Sequence, residues 1–310
     1  MAVDVSVITV SWNTRELLGN CIASVRKWAP PLVAEHIVVD NASNDGSAEM
    51  VRKLYSNVQL IANDDNVGYT RGCNQGLAVA QGRYVLFMNP DAELTEGCLP
   101  RLVDLMDANT DIGACSPHLK ADLQDVPAGV FPRLWLRLLP TATNWRLERQ
   151  MIRAYARDGD CYDVEWLIGA CLLVRRQALD QIGPMEERLF MWYDDADLGI
   201  RLKRAGWRRV VVNGALCHHH HGASASQVPS LQADFRMTMA EYTYWRLHKG
   251  WLLTWLLYTN RLVRQGLGAL LALLTGGRRA GLAPARFRWH LRHMADILFR
   301  EPRPYRGEPA

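Results

Sequence analysis

A short apolar run, a polar turn and then a stretch of helical spacing: this unit recurs at the start of the chain and limits its fold more than any other feature. Residues 3–10, 36–39, 58–62 and 84–88 are the apolar runs. Residues 15–28, 48–54 and 71–80 lie between them, the first with Leu17, Leu18, Cys21, Ile22 and Val25 on a helical period. Strands alternating with helices predict an α/β fold built on a mostly parallel sheet flanked by helices. Ligands of such open sheets gather outside the carboxyl ends of the strands. The polar turns are therefore where function is expected.

Residues 84–88 stop at Asn89-Pro90-Asp91, because Pro90 has no backbone donor with which to continue a strand. A carboxylate at Asp91 suits a hard cation bound to a phosphate-bearing substrate. Asp40, ending the second run, can accept the imide N–H of a uracil or thymine ring; it can equally close a turn with Ser43 and cap a helix. Asn13 and Thr14 are candidate caps for residues 15–28. Asn66-x-Gly68-x-x-x-Gly72-x-Asn74-x-Gly76 brings glycines to a helix start, where backbone N–H groups and Arg71 can meet a phosphate. The same glycines would also serve close helix–sheet packing. No Gly-x-Gly-x-x-Gly follows the first run and no Gly-x-x-x-x-Gly-Lys occurs, which argues against dinucleotide-dehydrogenase and P-loop chemistry.

From residue 116 to about 160 the pattern weakens, with Pro117, Pro127, Pro132 and Pro140 interrupting it. So long an irregular stretch in a compact protein is expected to be an acceptor-side segment. Residues 166–176 restore an apolar strand, entered through Gly169 and Ala170. Trp192-Tyr193-Asp194-Asp195-Ala196-Asp197 then opens a helix. Carboxylates this close repel and need a cation, an arginine or a capping role. Asp194 can cap, and Asp197 can pair with Arg201 four residues on. That leaves Asp195 to face the cleft as a general base. His218 to His221 follow a strand at 209–212. Only alternate members of a strand share a face, and no second pair of zinc ligands is evident, so a dedicated zinc site is disfavoured.

The composition is that of an ordinary globular protein, 49% hydrophobic and 22% charged. The seven cysteines are scattered, with no Cys-x-x-Cys pair, which points to a reducing compartment. The first residues carry no basic leader and run straight into a strand, so no signal peptide is expected there. Charge is uneven: from Arg246 onward there are 12 Lys+Arg against 3 Asp+Glu, a balance of +9, leaving −5 on the preceding residues out of +4 overall. After a helix at 233–248, residues 251–275 are strongly apolar, yet Arg261 and Arg264 interrupt them. The longest later uncharged run, 265–277, has 13 residues, short of the roughly 20 that a span needs. A basic amphipathic extension lying on the cytoplasmic membrane surface is expected, with packing on the body or in a homodimer as the alternative. The acidic body argues against nucleic acid.

Val39-Asp40-Asn41-Ala42-Ser43-Asn44-Asp45-Gly46-Ser47, Asn66-Val67-Gly68-Tyr69 and Phe87-Met88-Asn89-Pro90-Asp91 together resemble the ordered signatures of family 2 glycosyltransferases. The resemblance spans about residues 3–250. It implies the glycosyltransferase A fold, with a nucleotide-sugar half at 1–115, an acceptor-binding and catalytic half at 116–227 and a helical extension at 228–310. It implies an inverting, metal-dependent sugar transfer with Mg2+ or Mn2+. Asp40 would read the base. Asp91 would hold the metal with His219 of the pattern His219-x-x-Gly222-x-Ser224, and Asn89 stands where many members have a first Asp. Asn13, Ser43, Asn66, Gly68, Arg71, Asn74 and Gly169 join the donor side; Asp194, Trp192 and Trp166 fall on the acceptor side. Asp195 would be the base and Asp194 replaces the usual Glu. Asn-Pro-Asp with His-x-x-Gly-x-Ser resembles bacterial rhamnosyltransferases of cell-surface polysaccharide. That implies a dTDP- or UDP-linked donor and a glycan or polyprenyl-linked acceptor. A nucleotidyltransferase shares the sheet but needs a Gly-rich loop with Lys or Arg where Ser11-Trp12-Asn13-Thr14 stands. A non-catalytic membrane scaffold is the other alternative.

Overall fold

The computed structural model describes residues 3–30, 32, 34–120, 128–155, 158–220, 230–275 and 283–304. Two compact units are formed, one from Met1–Phe131, Glu148–Glu186 and Asp194–Gln227, the other from Pro132–Leu147, Glu187–Tyr193 and Val228–Ala310.

In the first unit β1 (Val5–Ser11), α1 (Arg15–Trp28), β2 (Ala34–Asp40), α2 (Ser47–Leu54), β3 (Val58–Ala62), α3 (Tyr69–Val79) and β4 (Tyr84–Met88) alternate as the apolar periodicity predicts. β1 and β4 are buried along their whole length, because helices cover both faces. β3, at the edge, is half-exposed. The chain continues through β5 (Ala92–Leu94), α4 (Cys98–Ala108), β6 (Ile112–Lys120) and β7 (Ala128–Gly129). α5 (Leu134–Leu138) and α6 (Thr141–Arg153) come next, then β8 (Cys161–Asp163), β9 (Trp166–Leu167), β10 (Cys171–Arg175), α7 (Arg176–Ile182), α8 (Asp194–Arg204) and β11 (Arg208–His219). The main sheet runs in the order β3-β2-β1-β4-β10-β6-β11-β5, with β8 beside β11. β3, β2, β1 and β4 are parallel, and β10 inserts antiparallel between β4 and β6.

Side chains alternate across the sheet as a period of two requires. Val5, Val7, Leu86 and Met88 meet Cys21 and Val25 of α1 and Leu99 of α4 on one face. Ile8, Val10 and Phe87 meet Cys73 of α3 and Leu198 of α8 on the other. Gly72 and Gly76 let α3 lie against β1, since a Cβ on either would fall 2.8 Å from Val10 and 2.6 Å from Ile8. Their glycine is thus a packing requirement. Cys21, Cys73, Cys98 and Cys115 are buried free thiols whose pKa burial pushes well up, so they are inert core residues.

Three departures from the sequence reading stand out. Residues 166–176 are not one strand: β9 and β10 are separated at 168–170, and Arg176 already begins α7. β5 is additional. The irregular stretch contains an extended β6 together with α5 and α6.

The second unit gathers α5, α9 (Ser230–His248), α10 (Trp251–Leu274), α11 (Ala283–Arg292) and α12 (Met294–Leu298). Tyr242, Tyr244, Trp245, Leu257, Tyr258 and Trp289 form its buried interior. His290 is buried there too, 2.9 Å from the Tyr242 hydroxyl through Nε2 and 2.9 Å from the Arg286 carbonyl through Nδ1. Burial lowers its pKa to about 4, so the ring is neutral, with Nδ1–H donating to the carbonyl and Nε2 accepting from the tyrosine. Among the described residues no helix is long and apolar enough to cross a membrane.

Candidate active site

The carboxyl ends of β1, β2 and β3 are tied together by asparagines. Asn41 N–H donates to the Ser11 carbonyl and Asn63 N–H to the Asp40 carbonyl, both at 2.9 Å. Asn63 Nδ2 donates to Asn41 Oδ1 at 2.9 Å, and Asn41 Nδ2 reaches the Gly68 carbonyl at 3.2 Å. Asn41 and Asn63 escaped the sequence reading; the signal was an asparagine after successive strands.

Asp40 is buried at the tip of β2. Its Oδ2 accepts the Ser43 N–H at 3.0 Å, closing the turn, while Oδ1 is buried with no partner among the described residues. An acceptor left so is costly, by about 1–3 kcal/mol, unless a ligand supplies a donor. Ser43 Oγ accepts the Asn13 N–H at 2.9 Å, and Asn13 Oδ1 accepts the Asn44 N–H at 2.8 Å. Asn13 (φ 53°) and Ala42 (φ 58°) are held in the left-handed region, strain of a kind concentrated at functional sites. Neither expected cap of α1 acts: Thr14 Oγ1 is 2.9 Å from Ser11 Oγ, and Asp45 Oδ2 takes the Arg15 N–H at 2.8 Å instead.

Gly68 precedes α3 with φ +93°, a conformation open to glycine, and its N–H donates to Asn66 Oδ1 at 3.0 Å. Arg71 is exposed in the first turn of α3. Asn74 departs from its expected place on the donor side. Its amide grips the Met185 backbone from both ends, at 2.9 Å and 2.8 Å, and clamps the loop after α7.

Past β4, Asp91 is buried with Oδ1 3.3 Å from His219 Nε2. The antiparallel register sets this up, for β11 places His219 opposite Ala92 and the His220 N–H on the Asp91 carbonyl at 2.9 Å. Strand alternation turns His219 inward, while exposed His220 meets Glu93 at 3.0 Å. Gly222 and Ser224 lie outside the described residues.

Asp195 sits half-buried in the first turn of α8. Burial raises its carboxyl pKa, and the neighbouring Asp194 raises it further; N–H groups of Ala196 and Gly169 bond the carboxylate and offset part of the shift. The net result is about 8. Asp197, also buried, pairs with Arg201 at 2.8 Å as the spacing predicts, and Arg201 holds the carbonyls of Ile182 and Pro184. α8 is thereby anchored by one aspartate and its arginine while Asp195 remains at Gly169.

Gly169 and Ala170 join these groups. The Asn89 N–H donates to the Ala170 carbonyl at 2.9 Å. A Cβ on Gly169 would stand 3.8 Å from Asp195 Cβ and 3.9 Å from the Tyr69 hydroxyl. Contacts therefore run from Asp40 through Asn41, Gly68 and Tyr69 to Gly169, and from His219 through Asp91 and Asn89 to Ala170. Trp166, expected on the acceptor side, instead fills a slot inside the first unit: Cβ atoms on Gly129 and Gly199 would come within 2.1 Å and 2.5 Å of it. Trp192 belongs to the second unit, where it and Tyr193 adopt φ 67° and 61°.

Asp91 and His219 offer one oxygen and one nitrogen donor, and no group of three His, Cys, Asp or Glu able to hold a metal occurs among the described residues. Such a pair suits a hard divalent cation that keeps waters and takes phosphate oxygens as its other ligands, and does not suit a closed zinc cage.

Sheet order and strand-end carboxylates together are those of the glycosyltransferase A fold, an architecture of enzymes that handle nucleotide sugars. The chain belongs to glycosyltransferase family 2, the family model described as Glycosyl transferase family 2 matching residues 6–183. It is 30% identical over 253 residues to the N-acetylglucosaminyl-diphospho-decaprenol L-rhamnosyltransferase of Mycobacterium tuberculosis, covering 72% of this chain and 78% of that one. Similar solved structures include GalNAc-T7 with UDP, GalNAc and Mn2+ (TM-score 0.60, 16% identity, 97% of this chain and 58% of that chain). Another is a Pyrobaculum calidifontis mannosyltransferase with GDP-Man and Mn2+ (TM-score 0.54, 16% identity, 95% and 86%). At these identities the structural likeness concerns the fold.

Proposed function

We propose that the protein moves a sugar, with rhamnose favoured, from a dTDP- or UDP-linked donor to a hydroxyl of a polyprenyl-linked or glycan acceptor in cell-surface polysaccharide synthesis, inverting the anomeric carbon. It would act in the cytoplasm, at the inner face of the cell membrane. The observation that carries this reading is that Asp195, a carboxyl of raised pKa, lies beside Gly169, while the turn that carries Asp91, itself 3.3 Å from His219, is bonded through the Asn89 N–H to the adjoining Ala170 carbonyl. The mycobacterial relative, named for rhamnosyl transfer to a decaprenyl-linked acceptor, supports the choice of sugar and acceptor.

Asp40 Oδ1 accepts the imide N–H of the base, with the Asn13–Ser43 turn and Gly68 shaping the donor pocket. Asp91 and His219 would hold Mg2+ or Mn2+, which would supply charge neutralisation for the leaving diphosphate. Asp195 accepts the proton of the acceptor hydroxyl. That oxygen forms its bond to the anomeric carbon as the bond to the donor diphosphate breaks on the opposite side, the electron pair leaving with the diphosphate. Asp194 maintains the basicity of Asp195 by like-charge proximity.

A thermal-shift screen tests the donor half. Stabilisation by dTDP or UDP donors is expected to increase with Mn2+, and Asp91→Ala is expected to remove the Mn2+-dependent increment while keeping the metal-free shift. Stabilisation by no nucleotide diphosphate would sink the reading. The acid limb of kcat/KM against pH is expected above the ordinary carboxylate range, and Asp194→Asn should move it about one unit lower, because one negative neighbour is removed. A limb that stays put in the variant would mean Asp195 is not the titrating group.

A further inference from the structure

α10 carries its apolar side outward. At about 100° per residue, Thr254, Leu257, Tyr258 and Ala272 mark the buried arc, and Leu252, Leu256, Val263, Leu267, Leu270 and Leu274 mark the opposite one. Those six are exposed, Leu267 by 63% and Leu274 by 76%. The helix has no Asp or Glu; Arg261 is turned inward to Glu241, and Arg264, at the margin of the stripe, donates to the Leu139 carbonyl at 2.8 Å. Exposed Trp251 and Trp255 occupy the first turns. Over 24 residues the stripe is about 36 Å long. Contiguous apolar surface of this kind marks an interaction site.

α11 lies beside it, closely admitted by glycines: a Cβ on Gly266 would meet Phe287 at 3.2 Å, and one on Gly268 would meet Ala283 at 2.9 Å. α11 also lacks Asp and Glu, and it presents exposed Arg288 and Arg292. The apolar stripe is thus bordered by cations. A second copy docked face to face about a two-fold axis would bring these arginines towards their own mates. A bilayer with anionic headgroups complements both the stripe and its border.

We propose that α10 docks the protein on an anionic lipid bilayer, lying in the interfacial plane with Leu252 to Leu274 among the acyl chains and Arg288 and Arg292 at the headgroups. The helix is too short of apolar length to cross. This claim is independent of which sugar is transferred.

Co-sedimentation of the full chain with phosphatidylcholine vesicles, with and without phosphatidylglycerol, tests it. Binding is expected with the anionic vesicles, together with quenching of tryptophan emission by brominated lipid. The triple variant Leu256→Glu, Leu267→Glu, Leu270→Glu should bind about a hundredfold more weakly with an unchanged Tm, because those side chains contact solvent. Wild-type protein that stays in the supernatant with both vesicle types overturns the proposal. So does a triple variant that binds as well as wild type, or a lipid-indifferent dimer that the triple variant dissociates.

Discussion

Asp195→Asn is expected to lower kcat about a thousandfold, near the middle of the range for loss of a general base, while donor affinity and fold are kept. The substitution keeps the shape of the side chain and removes only its ability to accept a proton, so a scaffold without catalysis would retain its cellular role. Stability supplies a second readout of opposite sign. In the folded protein the Asp195 carboxyl is pushed by burial and then by Asp194 up to about 8, well above the 3.8 of an ordinary aspartate. Below the lower value the group is protonated in both states and contributes nothing; as pH rises through the window the unfolded chain ionises first, and stability falls. Asn carries no charge to bury. The Tm difference in favour of the variant should therefore grow from acidic to mildly alkaline pH. Retained transfer, or a variant less stable at alkaline pH, would contradict the assignment.

Much of this site was legible because its residues sit at the ends of strands that are themselves legible. β2 and β4 are buried where they end and read as apolar runs, so Asp40 and Asp91 could be placed by counting to the polar turn after each. The family pattern His-x-x-Gly-x-Ser, and not alternation alone, singles out His219 from its neighbours. Less visible was anything depending on long-range packing. β5 is three residues with a charge in the middle, and only its partner β11 makes it a strand. Asn74 and Trp166 have the residue types of a binding site, but a loop backbone and two distant glycines claim them. Asn41 and Asn63 were passed over because a side-chain network among turns has no period. α5 and α6 were hidden by prolines that turn out to flank helices, with Pro132 and Pro140 just before them.

The second unit should depend strongly on the charge of Glu241. Its carboxylate is buried on α9 between Arg137 of α5, at 2.7 Å, and Arg261 of α10. Burial alone would raise its pKa; Arg261 and then Arg137 outweigh this and bring it to about 2. Arg261 in turn lies over the Tyr242 ring, 5.2 Å from its centroid. Glu241→Ala would leave two partly buried guanidinium groups without their shared carboxylate, a change expected to cost about 3 kcal/mol. Replacing all three by apolar residues of similar volume is expected to cost far less, because the pairing contributes little beyond offsetting its own desolvation. The sign of the pH dependence follows from the depressed pKa: the stabilisation is present above the usual carboxylate range and is lost as pH falls towards 2. Urea titration of wild type, Glu241→Ala and the triple apolar variant at neutral pH separates these cases. A single variant as stable as wild type would show that solvent already satisfies both guanidinium groups and that Glu241 does not hold the cluster together.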